Sequence, residues 1–516
     1  MKQLQILDCT LRDGGYYNDW DFPDELANQY FSHLTQIPIE YIEIGYRNPQ
    51  YSNNYFGQYF HLSVEKIDEI KSKLGGKKIA VMLDSKSIEQ ENIAKILDPI
   101  KGKVDLIRIA VNPLQLSKSL DLASEIKKRD FELALNFMYL SKHPLTSKII
   151  QEVNNCDFEP DYIYLVDSYG GANPELVETQ VSLLKSMYDG KIGYHGHNNL
   201  EMALINSLTA IKHGASIIDC TVLGMGRGAG NLKTELLLAY LVGTKQISCN
   251  LEEVAKLINE FKPLQQQYNW GTNLPYMIAG SLNFPQAKIM SWLVSDRYTQ
   301  DDIVSKVFNS SEDFDHSFKK IKQLDSTNPQ KPLVIIGGGP STHINASKIV
   351  KYVKSNPEIK VFSTSLEQVS AFKEILSRTT FCLSGKQLRD INKLENDIVS
   401  KIERIVLAPS PRNIEVTIPS YDENKIYELS ELHYADQSED SPFIIALELA
   451  FIENGDVELL GFDGYPNSTD KGVFLNQLNN QIIQSYRNLG LHITSLTKTK
   501  YLLEKGPSIH AKTMFI

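Results

Sequence analysis

The sequence predicts an α/β protein, a (β/α)8 TIM barrel followed by a Rossmann-like α/β domain. Three observations support this prediction. Short β-branched or apolar runs alternate with longer amphipathic stretches over the first half of the chain, and eight such runs can be counted. A polar stretch with two prolines interrupts the pattern at 325–332. A second series of apolar runs then begins with a glycine-rich loop.

The eight runs of the first half have the spacing of repeated βα units. About 25 to 40 residues separate them, which leaves room for one helix and two short loops per unit. Eight units favour a closed barrel, with an open doubly wound sheet as the alternative. The carboxyl ends of barrel strands share one face, and that face carries the active site. The runs lie at 3–8, 40–45, 78–83, 104–111, 132–138, 162–166, 192–197 and 216–223.

We divide the 516 residues into a barrel at 1–290, a helical extension and linker at 291–331, and a Rossmann-like domain at 332–516. The prolines and polar residues of 325–332 are typical of a linker. Within the last segment, strands are predicted at 333–336, 360–363, 380–383, 404–407, 457–460 and 492–495.

Composition excludes several classes of protein. With 42% hydrophobic and 22% charged residues, the chain is expected to be globular. A net charge of −10 gives no support for nucleic-acid or anionic-membrane partners. Five dispersed cysteines without a CxxC pair favour a reducing compartment. Because no signal-peptide or transmembrane pattern is present, we expect a cytoplasmic protein.

The seventh run ends in a pair of histidines with metal-ligand spacing. His195 and His197 are two residues apart on a strand, so both imidazoles reach the same side. Asp13, after the first run, adds a carboxylate, because strands one and seven are close in a closed barrel of eight. Asn231 is either an additional oxygen ligand or a helix N-cap. Two imidazoles and a carboxylate predict a divalent metal site, and two hydrogen-bonded histidines in a polar loop are the alternative.

Two further charged residues are candidates for the same site. Arg12 precedes Asp13 and either binds a substrate anion or forms a salt bridge at the barrel mouth. Glu43 stands within an otherwise apolar strand, and a buried carboxylate needs a partner. Arg12 or Arg47 is the expected partner of Glu43.

Three motifs in this order and spacing resemble those of the HMG-CoA lyase-like metalloenzymes, also called DRE-TIM metallolyases. The resemblance covers residues 1–290 and is greatest to the pyruvate-type aldolases, such as 4-hydroxy-2-oxovalerate aldolase. The motifs are Asp8-x-Thr10-Leu11-Arg12-Asp13-Gly14, His195-x-His197 and Gly224-x-Gly226-x-Gly228-x-Gly230-Asn231.

The resemblance implies a divalent ion, Mn2+ or Mg2+ with Zn2+ as a further option, bound by Asp13, His195 and His197. Asn231 matches a ligand of some members, and Arg12 matches the arginine that stabilises the enolate. The glycine loop lacks the cysteine of HMG-CoA lyase, which disfavours cleavage of an acyl-CoA.

One departure from the family concerns the group that moves the proton. The aldolases use a histidine shortly after Arg-Asp-Gly, where this chain has Tyr16 and Tyr17. Tyr16 is the first candidate for the catalytic proton transfer, and Asp19 and Tyr276 follow. Aromatic packing over the barrel mouth is the alternative role for these residues.

The second domain offers a candidate nucleotide site. Gly337, Gly339 and Ser341 follow a predicted strand, and the backbone amides of such a loop can hold a diphosphate. With Asp463, this loop faintly resembles Rossmann-like domains of bacterial sialyltransferases and of the motility accessory factor family. The resemblance implies a nucleotide or nucleotide-sugar ligand and, by association, 2-oxo-3-deoxy sugar or surface-polysaccharide metabolism. A tight structural turn is the alternative.

The sequence thus predicts a divalent-metal-dependent aldolase that makes or cleaves a carbon–carbon bond between a 2-oxo acid and an aldehyde. One alternative is an acyl-CoA/2-oxo acid condensing synthase of the same superfamily. Another is a metal- and nucleotide-binding protein without catalysis. Small-molecule substrates are the expected partners, and a homo-oligomer is compatible with the sequence.

Overall fold

A computed structural model describes residues 4–48, 56–88, 90–295, 298–309, 319–321, 331–367, 369–409, 423–434, 441–468 and 470–514. The chain divides into two compact units, Met1–Ile289 and Met290–Ile516. Most of the predicted linker at 325–332 lies outside the described residues.

The first unit contains a closed barrel of eight parallel strands. Neighbouring strands pair in chain order, and the last strand closes the barrel against the first, with Gln5 opposite Ile217 and Asp8 opposite Cys220. The predicted TIM barrel is therefore confirmed. Its strands are β1 (Gln5–Asp8), β2 (Tyr41–Tyr46), β3 (Lys78–Asp84), β4 (Leu106–Val111), β5 (Glu132–Phe137), β6 (Tyr162–Asp167), β7 (Lys191–Gly196) and β8 (Ile217–Cys220).

Helices connect the strands, and several begin at side-chain caps. Asn173 accepts a hydrogen bond from the Leu176 amide, and Asn250 caps a longer helix in the same way. The helices are α1 (Thr10–Asp13), α2 (Asp24–Thr35), α3 (Val64–Lys73), α4 (Ile93–Leu97), α5 (Leu116–Lys127), α6 (Ser147–Asn154), α7 (Pro174–Met187), α8 (Ala203–His213), α9 (Thr234–Gly243), α10 (Leu251–Tyr268), α11 (Leu274–Ser281) and α12 (Gln286–Ser295), which contains the boundary between the units.

Apolar side chains fill the barrel in two layers. A large cluster of buried residues packs between strands and helices. A smaller inner cluster lies inside the barrel and includes Leu7, Tyr41, Leu106, Tyr164 and Ile217. Because strand side chains alternate between the two faces, the residue two positions after each inner residue also points inward, nearer the carboxyl end of the strand.

Within its described residues, the second unit is built around a sheet of nine parallel strands. The strands are β9 (Lys319–Ile321), β10 (Lys331–Ile336), β11 (Lys360–Ser363), β12 (Thr379–Cys382), β13 (Arg404–Leu407), β14 (Ile426–Leu429), β15 (Gly455–Leu460), β16 (Ile493–Ser495) and β17 (Glu504–Lys505). Its helices are α13 (Gln300–Asn309), α14 (Pro340–Ile344), α15 (Ala346–Ser355), α16 (Gly385–Asp390), α17 (Asn396–Lys401), α18 (Pro442–Ile452), α19 (Asp470–Asn488) and α20 (Ile509–Lys512).

The order of the strands places a switch point beside β10. The sheet runs β17-β16-β15-β10-β11-β12-β13-β14-β9, so β10 lies between the next strand of the chain and β15, five strands later. The parallel α/β architecture agrees with the prediction, although β9, β14 and β17 were not predicted. Among the described residues, no helix has the length and apolar character needed to cross a membrane.

Candidate metal centre

Charged side chains stand one layer above the inner apolar cluster. Strands β2, β4 and β8 each contribute an apolar residue to that cluster, and each carries a charged residue two positions later. These inward-facing residues are Glu43, Arg108 and Asp219, which are 0%, 0% and 1% exposed. The alternation of strand side chains therefore builds a buried polar layer at the carboxyl end of the barrel.

Asp13, His195 and His197 meet at this end. Asp13 ends α1, His195 lies in β7, and His197 follows that strand directly. Oδ2 of Asp13 lies 3.7 Å from Nε2 of His195 and 3.7 Å from Nε2 of His197. Since each residue can offer a ligand atom within 4.8 Å of the other two, the three side chains can surround one ion.

The second ring nitrogen of each histidine is already bonded. Nδ1 of His195 lies 2.9 Å from Oδ2 of Asp219, and Nδ1 of His197 lies 2.9 Å from the carbonyl oxygen of Asp167. Such contacts orient metal-binding imidazoles, because they leave Nε2 to face the ion. Nε2 of His197 is buried and has no hydrogen-bond partner among the described residues. The donors present therefore fit a divalent ion.

The ionisation of these groups agrees with that fit. Burial and the nearby charge of His195 lower the pKa of His197 to about 3, so its imidazole is neutral at neutral pH. A neutral imidazole is the form that binds metals. Burial opposes ionisation of Asp13, but the charge of Arg12, the two adjacent imidazoles and the hydrogen bond from Asn231 hold its pKa well below the ordinary value. Asp13 is therefore an anion.

Asn231 lies beside the same three side chains. Its Nδ2 donates to Oδ2 of Asp13 at 2.5 Å, and its backbone forms an isolated bridge with His197. Its Oδ1 is buried and lacks a hydrogen-bond partner within the described part of the chain. Lys233 is the N-cap residue of α9, so the helix-cap alternative for Asn231 is wrong.

A closed set of ion pairs, which we call the charge ring, supports the donors. Nε of Arg12 donates to Oε2 of Glu43 at 2.8 Å, and its NH1 donates to Oδ1 of Asp13 at 2.5 Å. Arg108 donates to the same oxygen of Glu43 at 2.9 Å and to Oδ2 of Asp219 at 2.5 Å. Asp219 in turn contacts His195. Each charge in the ring is thus held by an opposite one.

A second group of donors overlaps the first. Cys9, His195 and Asp219 also lie close enough to hold an ion. However, Oδ2 of Asp219 already accepts from Arg108 and contacts His195. Burial also raises the pKa of the Cys9 thiol well above its ordinary value, which disfavours the thiolate that binds metals. The site at Asp13 is therefore the better candidate.

Tyr16 lies at the mouth of the barrel and is 36% exposed. Its hydroxyl is 3.3 Å from that of Tyr46, and its ring meets Trp20 edge-on at 4.8 Å between centroids. The guanidinium carbon of Arg227 lies 5.4 Å from its ring centroid. The structure thus places Tyr16 within a polar and aromatic rim.

The other two proton-transfer candidates are placed differently. Asp19 is exposed and adopts a positive φ of 53°. Tyr276 is buried, and its phenol interacts electrostatically with that of Tyr17. Tyr17 donates in turn to the carbonyl oxygen of Gly228 at 2.6 Å. Tyr276 and Tyr17 therefore tie together elements around the glycine loop.

The candidate nucleotide residues of the second unit come together at the carboxyl edge of its sheet. The amide and hydroxyl of Ser341 both donate to Oδ2 of Asp463, at 3.2 and 2.9 Å. A Cβ on Gly339 would lie 2.1 Å from that oxygen, and one on Gly337 would lie 2.8 Å from the Gly461 carbonyl oxygen. In dinucleotide-binding loops, an amide at this position faces a phosphate. Here the Ser341 amide donates to the Asp463 carboxylate instead.

Sequence reasoning missed Arg108 and Asp219, although a signal for both exists. Each is a lone charge in an otherwise apolar strand, the same signal that identified Glu43. Of the two expected partners of Glu43, Arg12 is the one that contacts it. Arg47 donates to two backbone carbonyl groups instead.

Comparison with known proteins identifies the family. The HMGL-like family model matches residues 3–259. A 4-hydroxy-2-oxovalerate aldolase from Geobacillus thermodenitrificans is 30% identical over 248 residues, which cover 46% of this chain and 70% of that protein. An oxaloacetate decarboxylase from Mycobacterium tuberculosis is 28% identical over 251 residues, covering 46% of this chain and 69% of the relative.

A solved structure shows the same likeness. It is the N-terminal domain of a Bacteroides vulgatus protein designated an aldolase, with 41% sequence identity and a TM-score of 0.54. The match covers 56% of this chain and 97% of that domain. The resemblance drawn from the three sequence motifs is confirmed. The chain belongs to the HMGL-like family, whose lyases and aldolases support assignment as a carbon–carbon lyase.

Proposed function

We propose that the barrel unit is a divalent-metal-dependent aldolase that joins or separates a 2-oxo acid, pyruvate, and an aldehyde. The main support is that the side chains of Asp13, His195 and His197 lie together in the barrel interior, next to the guanidinium of Arg12. Two relatives named above are named for reactions of 2-oxo acids. A site that stabilises an enolate beside a carboxylate would serve both reactions.

Asp13, His195, His197 and Asn231 would hold the ion. Mn2+ or Mg2+ suits their mixture of oxygen and nitrogen donors, with Zn2+ as a further option. When bound, the ion supplies Lewis acidity that stabilises the enolate of a 2-oxo acid. Asp219 and the Asp167 carbonyl group hold the two imidazoles in place.

Arg12 holds the oxyanion that develops as the carbon–carbon bond breaks. Its guanidinium is fixed at two nitrogens by Glu43 and Asp13, and these anions raise its pKa although burial opposes the charge. A preorganised donor of this kind contributes about 2.7–4 kcal/mol of transition-state stabilisation. Glu43 and Arg108 act as positioning residues, because they fix the side chain of Arg12.

Tyr16 moves the proton at its phenolic oxygen. Tyr16 is partly exposed, and its hydroxyl is 3.3 Å from the hydroxyl of Tyr46, which can pass a proton to it. This assignment gives Tyr16 the task that a histidine performs in the aldolases that the sequence resembles.

Deuterium entry into the methyl group of pyruvate tests this function. We expect NMR to show exchange in D2O with Mn2+ or Mg2+, loss of exchange with EDTA, and a large decrease in Arg12→Ala. Lys212→Met, which removes an exposed charge at the end of α8, is the control and should exchange normally. An inactive wild type with every divalent metal would refute the proposal.

Decarboxylation is the second candidate reaction, favoured by the similarity to the oxaloacetate decarboxylase. Pyruvate release from 4-hydroxy-2-oxovalerate and from oxaloacetate, measured under identical conditions, separates the two. An aldolase releases pyruvate with the larger kcat/KM from the first substrate, whereas a decarboxylase favours the second.

For the second unit, we propose a nucleotide or nucleotide-sugar site at the switch point between β10 and β15. Open parallel sheets bind ligands at this place. The Asp463 carboxylate supports a contact to ribose or sugar hydroxyls rather than to phosphate. Calorimetric titration with nucleoside diphosphates and their sugar conjugates tests the site. Binding that weakens in Asp463→Asn supports it, and no binding by the wild type refutes it.

A further inference from the structure

Arg227 lies near the metal centre, and within the described part of the chain its guanidinium forms no ion pair. Arg227 belongs to the glycine loop after β8 and approaches the Tyr16 ring at 5.4 Å. Its Nε is buried and has no hydrogen-bond partner among the described residues. The side chain is only partly buried, so its guanidinium can still be reached by a ligand, and a partly desolvated cation without an ion pair favours the binding of an anion.

The loop holds Arg227 in a defined place. The carbonyl oxygen of Arg227 accepts from the Gly230 amide at 3.2 Å, and the Gly230 carbonyl oxygen accepts from the Asn198 amide at 2.8 Å. A Cβ on Gly226 would lie 2.7 Å from the side chain of Asn231, which itself contacts the metal ligand Asp13. The backbone on both sides of Arg227 is therefore packed against the metal centre.

Arg227 is not a member of the charge ring, whose carboxylates are paired with other groups. The three carboxylates of the charge ring exceed its two arginines by one negative charge. A bound divalent ion would convert that excess into one positive charge, which the carboxylate of a 2-oxo acid would neutralise. Because Arg227 belongs to none of these pairs, its positive charge would remain for a second anionic group.

A pair of stacked tyrosines lies within electrostatic range of Arg227. The rings of Tyr139 and Tyr169 lie 5.5 Å apart between centroids with an angle of 30°. Both phenols interact electrostatically with Arg227. Tyr139 has a φ of 69°, a left-handed conformation that aromatic residues rarely adopt, and its amide donates to the Ser168 hydroxyl at 2.9 Å. Strained backbone of this kind clusters at ligand sites.

We propose that Arg227 binds an anionic group, a carboxylate or a phosphate, on the aldehyde substrate. This inference rests on the proposed aldolase function and names the class of its second substrate. An anionic aldehyde pairs with the guanidinium through two parallel hydrogen bonds. A neutral aldehyde leaves the charge unpaired. Arg227 is thus the residue that determines specificity at the barrel mouth.

Kinetics with three aldehydes test the proposal. Pyruvate is combined with propionaldehyde, succinic semialdehyde or glyceraldehyde 3-phosphate, which are neutral, carboxylated and phosphorylated. We expect Arg227→Met to lower kcat/KM for an anionic aldehyde about 10- to 100-fold, as loss of a charge-assisted hydrogen bond does, and to leave propionaldehyde within about twofold. The anionic aldehyde for which kcat/KM decreases more shows whether Arg227 binds a carboxylate or a phosphate.

Two further variants exclude a merely structural effect. Arg227→Lys should recover part of the preference for the anionic aldehyde, and Lys212→Met should behave as the wild type. An equal loss for neutral and anionic aldehydes in Arg227→Met, or no loss for either, overturns the proposal.

A binding measurement separates this proposal from the aldolase function. Calorimetric titration with succinate and with inorganic phosphate needs no turnover. We expect Arg227→Met to weaken binding of one of these anions at least tenfold, with Lys212→Met unchanged. If pyruvate shows no deuterium exchange, the aldolase function fails, and the titration still decides the role of Arg227. Equal anion binding by wild type and Arg227→Met overturns that role.

Discussion

Replacement of Asp219 by asparagine tests whether Asp219 orients the metal ligand His195, because it leaves all proposed metal ligands in place. Asp219 is 1% exposed, and its Oδ2 contacts Nδ1 of His195 at 2.9 Å and accepts from Arg108 at 2.5 Å. Asparagine preserves the size of the side chain but removes its charge. Loss of one partner of a buried ion pair usually lowers the free energy of unfolding by about 3–5 kcal/mol. Because Arg108 keeps its ion pair with Glu43, we expect a decrease at the lower end of this range, about 3 kcal/mol.

The same change should weaken metal binding. Loss of a carboxylate that orients a metal-binding histidine costs about 10- to 100-fold in affinity. At a fixed, saturating Mn2+ concentration, the stabilisation by the ion should therefore decrease by about 1.4–2.7 kcal/mol. Urea unfolding of the wild type and Asp219→Asn, each with Mn2+ and with EDTA, measures both effects.

A matched control exists in the second unit. Glu448 is fully buried and contacts Nδ1 of His433 at 2.7 Å, as Asp219 contacts a histidine. Glu448→Gln should also destabilise the protein but should leave the stabilisation by Mn2+ unchanged. If Asp219→Asn keeps the full stabilisation by Mn2+, Asp219 does not support a metal ligand and the reasoning is wrong.

Three other variants test separate parts of the site. Arg12→Lys should lower kcat for pyruvate release about 10²- to 10³-fold, because the fixed oxyanion donor is lost; a coupled assay of pyruvate measures this, and an unchanged kcat contradicts the role. Tyr16→Phe should lower kcat about 10²- to 10⁴-fold while Tyr46→Phe has a smaller effect, and equal rates for Tyr16→Phe and the wild type would assign the proton transfer elsewhere. Glu43→Gln should reduce the unfolding free energy by about 3–5 kcal/mol in urea, since it leaves two buried arginines facing an uncharged amide, and a wild-type midpoint would contradict this.

The sequence predicts those parts of the molecule that depend on local pattern. The barrel follows from eight apolar runs with regular spacing, and the pairing of His195 with His197 follows from strand alternation. The proximity of Asp13 to both depends only on closure of the barrel, which places β1 between β8 and β2.

Contacts between distant strands are harder to predict. Arg108 and Asp219 are recognisable as lone charges in apolar strands, but their pairing depends on side-chain length across the barrel interior. Ser341 and Asp463 meet only because β15 pairs with β10, an order that chain sequence does not reveal. The three-residue strand β9, with two lysines, lacks an apolar run that would identify it.

The location of the bound ion tests the central claim most directly. Crystals grown with Mn2+ should show an anomalous scattering peak between the Asp13 carboxylate and the Nε2 atoms of His195 and His197. The peak should disappear in His197→Gln crystals grown in the same way. A wild-type crystal with Mn2+ bound elsewhere, or with no ion between these three side chains, would contradict the account.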